Sequence, residues 1–395
     1  MPLPERRCSD IHKGCQSVFG VALRRNGFSM RTSPLTARFA LISRSHIFFL
    51  LAGLTLFLAS CGGTSASTGS GGSSTAASCD KSTGLTLYSA QGYDSDSAKG
   101  FQQQTGIKVN LVDDSTGNLL AKISAEAANP QWDVAWFDGN VTMQTLDDQG
   151  LLLKWNSPNI SNYNSLGQSV VPSDHAYYPS GVTAAGAIVY NTKHIPAAGL
   201  PKDWSDLTSP TYKNLVAEND PAYSGPAYPF IAGVSQVMGG EDKGKAFFTQ
   251  LKANGDKIFQ TNDPTLNSVE TGAREFAIIQ DSAYYAAQKA GQPLGIIYPT
   301  SGVAALPSEM GIAVNGRHKA CAEQFVNWIL SSAGQSVMTH HDPTDGDTYF
   351  MELINDVTPV VTRQTTGINF VSLNVSQWAG VEAEYKQWFH TNIVQ

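Results

Sequence analysis

The stretch LTLYSAQGYDSDSAKGFQQQTGIKVNLVDDSTGNLLAKI, Leu85 to Ile123, followed by DVAWFD at Asp133 to Asp138, decides the fold. LTLYSA (85–90), IKVNLVD (107–113) and DVAWF (133–137) are short runs rich in β-branched and aromatic residues, which suit a pleated, half-buried surface. Between them, SDSAKGFQQQ and TGNLLAKISAEAA have the Ala, Gln, Lys and Leu content of helices, and VTMQTLDDQG (141–150) reads as a third. Strand and helix in alternation predict a mainly parallel sheet, because a parallel pair needs a crossover long enough to hold a helix.

Towards the C-terminus a second set begins at GAIVYN (186–191). It continues through NLVAEN (214–219), helices near 227–238 and 243–252, KIFQ (257–260) and FAIIQD (276–281). GIIYP (295–299), MGIAV (310–314) and the amphipathic AEQFVNWILSS (322–332) extend or complete the first set. The chain from Cys79 to Gln395 is long for one core, so two lobes follow, with crossings near Ser180 and Thr300. The expected class is α/β, two-lobed, each lobe a mainly parallel sheet flanked by helices and joined by a hinge. The expected bounds are 84–180 with 298–340 for the first lobe and 181–297 with 341–395 for the second.

Towards the N-terminus, Arg24, Arg25, Arg31, Arg38 and Arg44 precede the apolar run IFFLLAGLTLFLA, Ile47 to Ala59. That order of charge and then apolar residues is a signal peptide's. The run falls short of the roughly 20 apolar residues of a transmembrane helix and ends in Ala59 and Ser60 before Cys61. The tetrad Leu58, Ala59, Ser60, Cys61 resembles the bacterial lipoprotein signal, which implies cleavage before Cys61 and acylation of its thiol and new amino group. Residues 1–60 are thus a targeting region, with Met30 as an alternative start. Residues 61–83 are a lipidated cysteine and a flexible linker. GGTSASTGSGGSSTAAS (62–78) has no charge and no large apolar side chain, so it buries too little surface to fold. As a coil it spans on the order of 20–25 Å.

The whole chain carries 26 Lys or Arg and 33 Asp or Glu. Without residues 1–60, which hold eight basic and two acidic residues, 18 face 31 and the net charge is near −13. Nucleic acid is excluded as a partner on this balance, since phosphate binding draws on clustered Lys and Arg. Of the five cysteines, Cys79 and Cys321 remain in the body; export permits a disulfide between them, and two separate buried thiols are the equal alternative. No CxxC or HExxH pattern supplies a metal site.

In open parallel sheets ligands lie beyond the carboxyl ends of the strands. The turns there hold Gln91, Gly92, Tyr93 and Asp94; Ser115, Thr116 and Gly117; Asp138, Gly139 and Asn140; and Ser282, Tyr284 and Tyr285. Tyr223, Ser224 and Gly225 precede Pro226 at a predicted helix start. Hydroxyls and glycine at a helix N-terminus leave N–H groups for an anion, although any one of Ser115, Ser224 and Ser282 taken alone is explained as a cap.

LYSAQGYDSDSAKGFQQQTGIKVNLVDDSTGNLLAKI, GAIVYNTKHIP, AIIQDSAYY and AEQFVNWILSSAGQSVM together resemble the substrate-binding proteins of ABC importers, over nearly all of residues 84–345. The branch they are most similar to is the ferric-ion-binding group with its relatives for 2-aminoethylphosphonate, thiamine and polyamines. The resemblance implies a monomer of two lobes that close over one small ligand, then dock on a membrane permease with a cytoplasmic ATPase. It implies no cofactor, Fe3+ entering only as cargo. The ferric group's tyrosine pair corresponds to Tyr284 and Tyr285, and its carboxylate to Asp138. The departures are Gln91, Gly92 and Tyr93 where many ferric binders have a histidine, and aspartate at 138 where glutamate is usual. YPTSGVAALPSEMGI resembles the phosphonate relatives at least as well, and NDPAYSGPAYPF (219–230) offers hydroxyls to an oxyanion.

An enzyme is the competing class. No GxSxG elbow, Walker loop, GxGxxG turn or zinc signature is present. His340, His341 and Asp342 in HHDPTDGD read as a solvated loop, and Trp132, Trp136 and Trp155 as core.

Overall fold

The computed structural model describes residues 78–343, 346–358, 363–364 and 366–395. Cys61, the targeting region and the tether up to residue 77 lie outside the described residues.

Three strands and three helices alternate as the opening stretch requires. They are β1 (Leu85–Ser89), α1 (Asp94–Thr105), β2 (Val109–Asp113), α2 (Thr116–Ala125), β3 (Val134–Asp138) and α3 (Asn140–Asp148). A short helix α4 (Ser165–Val170) precedes β4 (Tyr177–Ala184). The second set comprises β5 (Ala187–Asn191), β6 (Val216–Asn219), α5 (Ala227–Met238), α6 (Glu241–Ala253), β7 (Lys257–Phe259), α7 (Asn262–Glu270), β8 (Phe276–Ile279), α8 (Asp281–Lys289) and β9 (Leu294–Ile297). β10 (Val303–Ile312), α9 (Lys319–Ile329), α10 (Ser332–Thr339), β11 (Phe370–Val371) and α11 (Val375–Phe389) complete the described elements.

One sheet has the order β11-β10-β3-β1-β2, with β4 also on β10, and the other β7-β6-β8-β5-β9. Each has a parallel centre, β2-β1-β3 in the first and β7-β6-β8 in the second. Antiparallel partners close each side, β10 on β3 and β4, and β5 between β8 and β9. GIIYP was expected to extend the first lobe, yet Gly295–Ile297 pairs with β5 in the second sheet. β11 and the buried Phe350, Leu353 and Ile354 belong with the first lobe, so residues 341–395 are shared between lobes rather than lying wholly in the second.

The hinge is the antiparallel pair β4–β10. Two residues separate Ala184 from β5, and β9 leads back to β10 through the segment around Thr300. Ser180 lies inside β4, so that crossing falls a few residues later than its sequence suggested, because β4 is fully buried and continues to Ala184.

Each lobe has its own core. Phe101, Trp136, Phe325 and Trp328 pack edge to face beneath the first sheet. Phe230, Phe248 and Phe389 do the same in the second, with Trp204 on Phe230. Burying one such side chain stabilises by roughly 1.5–3 kcal/mol. Cys79 and Cys321 are disulfide-bonded at a Cα–Cα distance of 4.8 Å, which pins the first described residues to α9 and resolves the choice left open by the sequence.

Candidate functional site

The strand-end turns of both sheets converge on one cavity of about 1020 Å³. Gln91, Ser115, Thr116 and Asp138 line it from the first lobe, and Tyr223, Ser224 and Ser282 from the second. Local sequence fixes several of these positions. Ser115 caps α2 by accepting from the Asn118 N–H at 3.4 Å, and Asp114 accepts from the Ser115 N–H at 2.7 Å and the Asn118 amide at 2.8 Å. Ser224 accepts from Asn219 Nδ2 at 3.2 Å.

Asp138 is a buried acid of the floor. Its Oδ1 accepts from Gln91 Nε2 at 3.0 Å and from Ser308 Oγ at 2.6 Å. Burial raises its pKa, while the hydrogen bonds from Ser308, Gln91 and Gln280 oppose that rise. An amide network continues the floor into the second lobe. Asn219 donates to Asn262 Oδ1 at 2.6 Å, Asn262 donates to Gln280 Oε1 at 3.4 Å, and Gln280 donates to Thr183 Oγ1 at 3.0 Å on the hinge strand. Asn219, Asn262 and Gln280 were not among the expected site residues, yet Asn219 ends β6, Gln280 directly follows β8 and Asn262 opens α7 three residues after β7, so the same strand-end argument reaches them.

The lobes touch across the cavity mouth. The Gly117 N–H donates to the Tyr223 carbonyl at 3.3 Å. A Cβ on Gly225 would lie 2.6 Å from Thr116 Oγ1. His341 and Asp342, read in sequence as a solvated loop, also line the cavity, and His341 Nδ1 lies 2.7 Å from Asp96 Oδ2 on α1.

Three expected site residues turn away from the cavity. Tyr93 is 1 % exposed and packs on Trp136 and Phe350 at ring distances of 5.2 and 5.9 Å. Tyr284 and Tyr285 lie in the apolar cluster of Val189, Ile279, Leu294 and Tyr349. The cause is helical phase: α8 shows Ser282, Ala283, Ala286, Ala287 and Ala290 to the cavity, and positions 284 and 285 fall on the opposite face. Tyr284 Oη accepts from Gln288 Nε2 at 2.6 Å. Tyr285 Oη accepts from the Gln364 N–H at 3.0 Å and shares a hydrogen bond with Tyr298 Oη at 3.1 Å. Asp138 is therefore in the cavity without the two phenols expected beside it. Among the described residues no three His, Cys, Asp or Glu side chains form a group that could hold a metal ion.

Below α8 lies a buried charge pair. Asp281 is 0 % exposed and accepts from the Ala184 N–H at 3.0 Å, from Tyr298 Oη at 2.8 Å and from Arg363. Arg363 also donates to the Tyr349 carbonyl at 2.6 Å, with its guanidinium carbon 5.3 Å from the centre of the Tyr285 ring. The pair ties the first turn of α8 to the end of hinge strand β4.

Residues 96–342 match the family of bacterial extracellular solute-binding proteins. The chain belongs to that family. Its relatives include named binding proteins. It is 25% identical over 280 residues to an Fe(3+)-binding periplasmic protein of Serratia marcescens, covering 67% of this chain and 78% of that one. It is 22% identical over 287 residues to a Salmonella paratyphi A periplasmic protein provisionally named for 2-aminoethylphosphonate binding, covering 70% and 80%. Among solved structures, it resembles the periplasmic binding protein AfuA of Actinobacillus pleuropneumoniae, which holds fructose-6-phosphate. That likeness has a TM-score of 0.70 at 22% identity, covers 78% of this chain and 98% of that one, and shows the shared fold.

Proposed function

We propose that this family member is the ligand-capturing component of an ABC importer, held outside the cytoplasmic membrane by a lipid on Cys61. It closes two lobes over one small solute and hands it to a permease driven by a cytoplasmic ATPase. The observation that carries the reading is the cavity itself, lined from both lobes and bridged at its mouth by the Gly117–Tyr223 hydrogen bond. A ligand held by both walls favours the bridged arrangement over an open one, and only that difference in affinity drives closure.

The ligands named among the similar proteins are ferric ion, a phosphonate and a sugar phosphate. Ferric ion fits least well, since Asp138 stands in the cavity while Tyr284 and Tyr285 face the core. The volume of about 1020 Å³ also matches the range of organic-ligand pockets, roughly 300–1,000 Å³. A phosphonate would find hydroxyls and N–H groups at the Ser115–Thr116 turn before α2 and at Ser224–Gly225 before α5, and the charge of the rest of the lining decides for or against it.

Small-angle scattering with calorimetry tests the proposal. A bound solute should leave a more compact particle than an empty one. A solute that binds without any change in dimensions, or turnover of that solute, counts against a two-lobed receptor.

A further inference from the structure

The inference concerns the ligand's charge and rests on the cleft being the ligand site. Among the described residues, eight Asp or Glu side chains line the cavity and no Lys or Arg does. Asp94 and Asp138 are buried within it, at 2 and 6 % exposure. Asp113, Asp114 and Asp263 stand exposed around it. Arg363 does not line it and is committed to Asp281.

One feature of the fold opposes this charge. The N-terminal ends of α1, α2, α5, α7 and α8 meet at the cavity, and each is worth about half a positive charge. Five such ends total about +2.5, against a formal −8 from the carboxylates. A neutral Asp138 still leaves the balance several charges negative. The dipole of α8 is also answered already, because Asp281, which is not among the eight, sits in its first turn. A free oxyanion entering this cleft meets repulsion that these N–H groups do not offset.

Two further surfaces describe the body of the ligand. Ala283, Ala286, Ala287 and Ala290 of α8, with Leu266, make an apolar wall in the second lobe. Tyr223 lines the mouth and is 38 % exposed, one of two large hydrophobic residues exposed to that degree among the described residues. Its carbonyl is fixed by Gly117, so the backbone is held while the ring stays open to a ligand. A ring face beside an acidic cleft attracts a cation.

We propose that the cleft takes an organic cation, one or more ammonium groups carried on an aliphatic or aromatic body, rather than an oxyanion. Carboxylates of both lobes, Asp113 and Asp263 among them, would hold the ammonium, and the α8 wall and Tyr223 would cover the body.

The test uses the full chain in detergent, with thermal shift and calorimetry on two sets of probes. The cations are putrescine, choline and benzylamine; the others are 2-aminoethylphosphonate, inorganic phosphate, fructose 6-phosphate and ferric citrate. At least one cation should raise the unfolding midpoint, by an amount that grows with the logarithm of its concentration above Kd. Its affinity should fall tenfold or more in the double variant D113N/D263N and between 50 and 500 mM salt, as screening of an ionic contact requires. Tyr223→Leu should weaken it several-fold, and Tyr223→Phe should restore it. An anion that binds and closes the lobes while no cation does overturns this inference and leaves the receptor reading standing. If no probe binds, both fall. A cation whose affinity ignores salt and D113N/D263N overturns the charge argument alone.

Discussion

Replacing Gly117 with alanine adds one methyl group at the point where the two lobes meet. A Cβ built there lies 1.9 Å from the Ala222 carbonyl oxygen, 2.9 Å from its carbon and 3.1 Å from the Tyr223 Cα, all backbone of the second lobe. Carbon–oxygen contacts come no closer than about 3.3 Å, so the lobes must part by about 1.4 Å at this point. Parting also breaks the Gly117–Tyr223 hydrogen bond. Overpacking of this kind costs about 1–3 kcal/mol, which falls on the closed state alone and weakens ligand affinity by about 5- to 150-fold. The empty, open protein feels the opposite effect. Gly117 is the second residue of α2, and alanine in a helix is favoured over glycine by about 0.5–1 kcal/mol. Calorimetry should therefore show weaker binding while the ligand-free unfolding midpoint holds or rises. Unchanged affinity would mean that the bridged arrangement is not the ligand-bound one, and a lowered ligand-free midpoint would mean that the contact is structural.

Reducing Cys79–Cys321, which closes a loop with a sequence separation of 242, should lower stability by about 2–5 kcal/mol on thermal unfolding. Ligand affinity should not change, since neither sulfur lines the cavity. Arg363→Met leaves the buried Asp281 carboxylate with only Ala184 N and Tyr298 Oη as donors, which should cost about 3–5 kcal/mol; pairing it with Asp281→Asn should recover part of that loss on chemical denaturation. Phe at both 284 and 285 should leave affinity within about twofold and cost about 1–3 kcal/mol, one hydrogen bond being lost at Tyr284 and two at Tyr285. Loss of binding in that variant would show that the phenols face the ligand. Glu218 and Asp256 are buried together with no hydrogen-bonded partner for either carboxyl. Burial and mutual repulsion push Glu218 far up, and burial pushes Asp256 to about 6. Both folded values lie above the unfolded ones, so stability should fall as pH rises from about 4 through 6 for Asp256 and go on falling above that until Glu218 ionises. For Asp256 the span is at most about 3 kcal/mol, and E218Q should flatten the slope in urea titrations run across that range.

The strands and helices of residues 85–150 were legible because short β-branched and aromatic runs alternate there with stretches of helix-forming composition. β4 was not, since YYPSGVTA interrupts its strand-forming residues with proline, serine and glycine. β9 was misassigned for a related reason. LGII is a short apolar run that fits either sheet, and only its antiparallel pairing with β5 places it in the second. The cavity residues Gln91, Ser115, Thr116, Asp138, Ser224 and Ser282 follow from strand-end position alone, which topology dictates whatever the ligand is.

The tyrosine pair shows where that rule stops. A strand-end turn points its first residues at the cleft, but once a helix begins, exposure to the cleft follows a period of 3.6 rather than nearness in sequence. Asp281 sets the phase of α8, because its carboxylate is bound to Ala184 N on one side and Arg363 on the other. Arg363 is 82 residues away in sequence, and no local pattern announces the contact. With that turn fixed, Ser282 and the alanines face the cavity and the phenols pack against Tyr298, Tyr349 and Leu294. The cavity wall of the second lobe is thus set by a buried ion pair that does not line it, and a change of partner for Asp281 would alter that wall without changing any residue in it.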